Sequence, residues 1–349
     1  MTKLTRRHAL SAYWSFVTAS RVSRAQELAG EPPGRIPPVD ELVNAAEYRA
    51  IAERKLDRLT FAEIEGSDRA AFERMTFRPR LMIDSREIDL TAEVLGQTLF
   101  TPILVGPVSN QKRYHPEGEL AMVRGAAAAK AVAIVAGRSS YSIDQVAEQA
   151  STPLWYQVYL DGDLSETRMR VDRAFRMGCK VLCVTVGPEE PAAGTSLRAG
   201  IDWSALHQLR QTVKAPVVLK GVMSPDEARK AVSAGVEGLV VSNYAARVIT
   251  GVASPIEVLP AIVDAVNGKA AILMDGSIRR GSDVLKALAL GAHAVLLARP
   301  AVWGLASYGA TGVQSVVELI QTEFARDMVM CGKVNLKSID RGVVRIHRW

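Results

Sequence analysis

Eight short apolar runs alternate with helix-like segments between Pro102 and Pro300, and that alternation constrains the fold more than any other feature. The runs are Pro102–Val108, Val132–Gly137, Leu154–Leu160, Val181–Gly187, Pro216–Val222, Gly238–Tyr244, Ala270–Gly276 and Ala294–Pro300. None has a strong period of two, which fits parallel strands covered on both faces. Between them lie helix signatures at Glu117–Lys130, Ser142–Ala150, Ser165–Met177, Trp203–Val213, Ser224–Ala234, Ser254–Val266 and Gly281–Leu290. Ser224-Pro225-Asp226-Glu227 offers a capping serine, a proline at the first helical position and acids in the first turn. Ser254-Pro255-Ile256-Glu257 repeats the device, with its glutamate set for a capping box. Gly235, Gly268 and Gly291 then stop helices. The pattern predicts an α/β fold, a (β/α)8 TIM barrel, in preference to a doubly wound open sheet. In such a barrel the chemistry belongs at the C-terminal strand ends.

Ahead of the barrel, Val39 to Phe77 carries apolar residues three and four apart, predicting an N-terminal helical extension. Residues 39–349 are thus one barrel domain with its N-terminal helices, and residues 1–38 stand apart. That leader holds Thr5-Arg6-Arg7-His8-Ala9-Leu10, a modest apolar stretch to Ala19, and a Pro-rich close from Glu31 to Pro38. It reads as a twin-arginine export signal, which would place the protein in the periplasm; the alternative is a basic tail on a cytoplasmic protein. Much of the net charge of +6 sits in this segment. No basic stripe interleaved with aromatics follows, so nucleic acid is not an expected partner. Apolar content of 48% with 23% charged residues gives ample core, and no run has the roughly 18 apolar residues of a transmembrane segment. Cys179, Cys183 and Cys331 lack metal or redox spacing, and no metal site is expected.

The strand ends hold the chemistry. Run five ends Leu219-Lys220-Gly221, a cation emerging from apolar surroundings that needs an anionic answer. Run seven ends Asp275-Gly276-Ser277-Ile278-Arg279-Arg280-Gly281 and leads straight into a helix, while run eight ends Ala298-Arg299-Pro300. Glycine turns, a helix N-terminus and arginines after strands seven and eight are how barrels hold phosphate. Gln157 and Thr185 are placed to bond the edge of a heterocycle, and Tyr159 to reach a substrate oxygen.

Taken together, Phe77-Arg78-Pro79-Arg80, Ile83-Asp84, Pro102 to Pro107, His115-Pro116-Glu117-Gly118-Glu119, Leu219 to Val222, Val241-Ser242-Asn243 and the block from Asp275 to Pro300 resemble the FMN-dependent 2-hydroxy-acid oxidase and dehydrogenase family. The resemblance spans about Glu47 to Asp340. It implies an FMN-dependent oxidoreductase acting on a small molecule, and a homo-oligomer. Gly106, Pro107 and Val108 would lie along the isoalloxazine, with Gln157 and Thr185 at its polar edge. Lys220 would stand by N1 and O2, with Ser242 nearby. Asp275 would bind the ribityl chain, and Ser277, Arg279, Ala298 and Arg299 would surround the phosphate. The family usually has glycine at the positions of Ser277 and Ala298.

The resemblance also marks departures. The family's active-site histidine falls on Tyr244, and the aspartate that orients it falls on Gly187. His8, His115, His207, His293 and His347 offer no obvious substitute. The substrate-side tyrosine of the N-terminal helix aligns near Glu63, and a rim aromatic after strand two becomes Arg138. The loop after strand four shrinks to Pro188–Ile201, with Arg198 as the stand-in for a second arginine. Tyr159 is retained, as is Arg247, the carboxylate-binding arginine by position. A neutral tyrosine, with an ordinary pKa of about 10, is a poor base at neutral pH unless nearby cations draw its proton away. Three functions follow. The first is an oxidoreductase still acting on a small carboxylate-bearing substrate by altered chemistry, with a 2-hydroxy or 2-oxo acid as the expected small-molecule partner. The second is reduction or isomerisation with Tyr244 as proton donor. The third is flavin or ligand binding without catalysis.

Overall fold

The computed structural model describes residues 35–66, 69–80, 82–84, 86–160, 163–187, 202–244 and 251–347. The export-signal motif, the loop Pro188–Ile201 with Arg198, and Arg247 lie outside the described residues. Eight parallel strands close into a barrel: β1 Ile103–Val105, β2 Ala133–Ala136, β3 Leu154–Tyr159, β4 Leu182–Thr185, β5 Val217–Val222, β6 Gly238–Val241, β7 Ala271–Asp275 and β8 Ala294–Leu297. Each strand pairs with its neighbours in chain order, and β8 pairs with β1 to close the ring. All eight strand expectations hold, as does the (β/α)8 class.

Two apolar layers explain why these runs are apolar throughout. Side chains alternate across a strand. Leu104, Ile134, Trp155, Cys183, Val218, Val240, Leu273 and Leu296 fill the barrel interior, and their neighbours pack outward against the helices. Cys183 is therefore a small core hydrophobe, and all three cysteines are free and buried. An antiparallel hairpin, Ala92–Val94 with Gln97–Leu99, joins the lower end of this core. Its turn residues Leu95 and Gly96 both have positive φ, 52° and 73°, matching the right-handed twist of a tight hairpin. Trp155 Nε1 donates to Gln97 Oε1 at 3.3 Å, tying β3 to the hairpin.

The capping signals work as read at Ser224, while at Ser254 only half of the box forms: Glu257 accepts the Ser254 N–H at 2.8 Å and the Ser254 hydroxyl makes no cap bond. Ser224 and Glu227 form a reciprocal capping box at the start of helix Pro225–Ser233, and Pro255 opens helix Pro255–Val266. Boundaries moved where backbone chemistry outweighs hydropathy. The eighth strand stops at Leu297, and Arg299 and Pro300 open a helix, Arg299–Met330. Proline suits that first turn because its missing N–H would be unpaired there in any case. This helix is broken at Tyr308 and Gly309, where φ is −142° and 58°. The first strand likewise ends at Val105, and after Gly106, still bonded to Leu297 O, Pro107 and Val108 leave the wall and line the barrel mouth. The N-terminal helices are Ala45–Lys55, Arg58–Ile64 and the short Ala70–Glu73. Met75–Phe77 then pairs antiparallel with Val344–Ile346, joining the two ends of the domain.

Candidate active site

A cavity of about 570 Å³ opens at the C-terminal ends of the strands. It collects Pro107, Val108, Gln157, Tyr159, Thr185, Lys220, Ser242, Tyr244, Asp275, Ser277, Arg279, Ala298 and Arg299. Gly106 sits just behind this lining. Its N–H donates to Leu297 O at 2.8 Å, and a Cβ there would meet Leu296 Cβ at 3.3 Å, so it seals β1 against β8.

Register explains the polar edge. On β3, Trp155, Gln157 and Tyr159 share the inward face, so the row climbs from the buried core to the mouth. Tyr159 pairs with Thr185, and Thr185 with Lys220, placing three polar residues in one layer across β3, β4 and β5. Gln157 Nε2 and Thr185 Oγ1 are buried and have no hydrogen-bond partner among the described residues. Buried polar atoms are nearly always paired, so two orphans facing one cavity fit a ligand with a polar edge.

Lys220 is 3% exposed. Its ammonium lies 2.6 Å from Asp275 Oδ2 and donates to Ser242 Oγ at 3.2 Å; Ser242 Oγ in turn donates to Asp275 Oδ2 at 3.1 Å. The register of β5 against β6 shifts between Lys220 and Val222, around Gly221 with φ 114°. Such a bulge re-aims the side chain before it, here the lysine. Tyr244 follows the end of β6. Its N–H donates to Ser242 Oγ at 3.3 Å, and its ring centroid stands 5.1 Å from Lys220 Nζ. The tyrosine, the lysine and the aspartate thus form one connected group.

At the other end of the cavity, Gly276 and Ser277 turn the chain with φ of 123° and 58°. Arg279 lies against the Trp303 ring at 4.7 Å. Burial, reinforced by Arg299 and Arg69, pulls its guanidinium well below the ordinary arginine range. Cations gathered at this turn, beside the N-terminus of helix Arg299–Met330, are groups of the kind that receive an anion. The donor set therefore fits both halves of FMN: a heterocycle edge over β3 to β5, and a phosphate over β7 and β8.

Glu63, noted from the sequence as a departure, lines the cavity together with Arg113 and Tyr114, which sequence reading missed. Arg113 donates to Glu63 Oε1 at 3.0 Å, and the Tyr114 hydroxyl donates to Oε2 at 2.9 Å. Burial raises the Tyr114 hydroxyl pKa, Arg113 opposes the rise, and the Glu63 carboxylate adds to it. Only the mismatch at Glu63 signalled this cluster, because its partners belong to the loop after β1. Among the described residues no histidine lines the cavity. His115 Nδ1 accepts from Glu117 N, His293 Nδ1 accepts from Ile272 N, His207 pairs with Gln211 and His347 with Thr76.

The chain is similar to proteins of known family and fold. A family model described as FMN-dependent dehydrogenase matches residues 51–194 and 188–346. An L-lactate oxidase from Nostoc sp. is 36% identical over 87% of this chain and 98% of its own length. Human 2-hydroxyacid oxidase 1 is 37% identical over 79% of this chain and 86% of its own length. A solved mandelate oxidase with (S)-2-phenylpropionate superposes with a TM-score of 0.81 at 32% identity, covering 87% of this chain and 98% of that one. The chain belongs to the FMN-dependent dehydrogenase family, an oxidoreductase family, and its cofactor is FMN.

Proposed function

We propose that this protein oxidises a small 2-hydroxy acid, with Tyr244 handling the proton that the family's histidine–aspartate pair would otherwise take. The observation that carries the reading is the continuity of the cavity, which joins the anion end, the heterocycle edge and the Tyr244 phenol. FMN supplies the acceptor for the electron pair that leaves the substrate's α C–H bond. The protein must then hold the carboxylate, orient the hydroxyl and accept its proton. Tyr159 and Tyr244 stand at the mouth for the last two tasks, the second of which requires Tyr244 to act as its phenolate, and Arg247 is the carboxylate ligand by family position. The oxidase names of the relatives favour this direction over reduction or isomerisation. Anaerobic addition of L-2-hydroxy acids to the yellow holoprotein tests it. Bleaching of the flavin band by one of them supports the reading. A flavin that stays oxidised with all of them, while the reduced protein is reoxidised by a 2-oxo acid, overturns it.

The proposed replacement is built into the backbone as well as the side chains. Gly187 has φ 95°, a conformation that L residues avoid. Gly187→Asp is therefore expected to destabilise the protein by about 1–2 kcal/mol, read as a lower urea midpoint, whereas Tyr244→His carries no such backbone cost. Restoring both members of the pair recovers the family's chemistry only if position 187 also leaves its left-handed conformation.

The anion site makes a second prediction. FMN at 100 times its Kd should stabilise the folded chain by about 2.7 kcal/mol. Inorganic phosphate alone should raise Tm by a fraction of that shift, because it relieves the repulsion around Arg279 without filling the heterocycle edge. A thermal melt with no response to phosphate would count against the assignment of Arg279 and Arg299.

A further inference from the structure

The turn from Asp275 to Gly281 is held from behind by a residue outside the barrel. Arg69, just before the short helix Ala70–Glu73, makes a fork onto Asp283: Nη1 to Oδ2 and Nη2 to Oδ1, both at 2.9 Å. Nη1 also donates to Ser277 O at 2.6 Å. Asp283 is fully buried, and its Oδ2 accepts the backbone N–H of Arg279 at 2.8 Å and of Arg280 at 3.0 Å. One guanidinium thus fixes the turn twice, directly at Ser277 and through the carboxylate at Arg279 and Arg280.

Ser277 is the position that needs such help. Its φ of 58° is left-handed, which a side chain resists and glycine does not. The peptide after it is planar and trans, so its carbonyl and the Ile278 N–H point in opposite directions. Anchoring the Ser277 carbonyl on Arg69 therefore also sets the direction of the Ile278 N–H. Both Ser277 and Ile278 line the cavity.

We propose that Arg69 is a positioning residue for FMN, holding the left-handed Ser277 turn and the Arg279 backbone in the conformation that receives the phosphate. This rests on the assignment of that turn to the FMN phosphate. A bidentate fork does this work where a point charge does not. Loss of Arg69 leaves the serine free to relax toward ordinary backbone geometry, whereas glycine keeps the left-handed conformation without the clamp.

The test is the rate of FMN release from diluted holoprotein, followed by the recovery of free-flavin fluorescence. Arg69→Met is expected to speed release by about 10–100-fold, the size seen when the outer partners of a bound ion's ligands are removed. Arg69→Lys should fall between it and the parent. Adding Ser277→Gly to either variant should slow release again, which a general loss of stability would not do. Where Arg69→Met does not accumulate as folded protein, the Arg69→Lys pair carries the same comparison. Arg279→Met is the control on the site itself. If it releases FMN no faster than the parent, the phosphate assignment falls, and the proposal with it. If Arg279→Met releases FMN rapidly while Arg69→Met and Arg69→Lys match the parent, or if Ser277→Gly rescues neither, the role of Arg69 alone is overturned.

Discussion

Replacing Tyr244 with phenylalanine is expected to slow substrate-driven flavin reduction by about 10²–10⁴-fold, the range for loss of a positioned acid–base group. The substitution removes one oxygen and keeps the ring that lies 5.1 Å from Lys220 Nζ. Packing and flavin retention should therefore stay close to those of the parent. Anaerobic stopped-flow traces at saturating substrate separate the outcomes. A fall in the limiting reduction rate with little change in substrate affinity assigns proton handling to the phenol. An unchanged rate removes Tyr244 from the mechanism and leaves Glu63, a carboxylate on the cavity wall beside Arg113, as the next group to test.

Lys220→Met is expected to cost about 3–5 kcal/mol of stability, because it strands the Asp275 carboxylate without its cation. The pair is close, 2.6 Å, and its side chains are only 4% and 14% exposed. Urea denaturation of the holoprotein measures the loss. The double variant Lys220→Met with Asp275→Asn should recover part of it, since removing both charges avoids an unpaired buried ion. Equal destabilisation in the single and double variants would show that packing, not charge, accounts for the cost. Both variants should also hold FMN less well, because each removes a polar group from the cavity wall.

The barrel itself was legible from the residues. Its eight strands are short apolar runs, and several of its helices announce themselves with caps such as Ser224 and Glu227. These signals act within four residues of chain, so the chain order alone displays them. The strand-end positions were legible for the same reason: in a parallel barrel the last residue of every run falls on one rim. Gln157, Thr185, Lys220 and Asp275 came together as that rule requires. Where hydropathy was the only guide, boundaries slipped. The eighth run was carried through to Pro300, yet its strand stops at Leu297 and Arg299 and Pro300 open a helix.

Other parts of the site depend on contacts between distant segments. Arg69 and Asp283 are 214 positions apart, and Arg113 and Glu63 are 50. Nothing near Glu63 in the chain discloses that an arginine and a buried tyrosine will grip its carboxylate. The antiparallel pair joining Met75–Phe77 to Val344–Ile346 is equally silent, because three-residue strands carry no usable periodicity. By itself, then, the sequence determined the barrel, its cofactor family and the polar groups on its rim. The barrel and its rim follow from local patterning repeated in eight units, and the cofactor family from the resemblance that its motifs carry. The tertiary structure decided how those groups are paired: lysine with aspartate, tyrosine above lysine, and an outlying arginine behind the Ser277 turn. Pairing depends on which surfaces meet when the ring closes, and closure is a property of the whole chain.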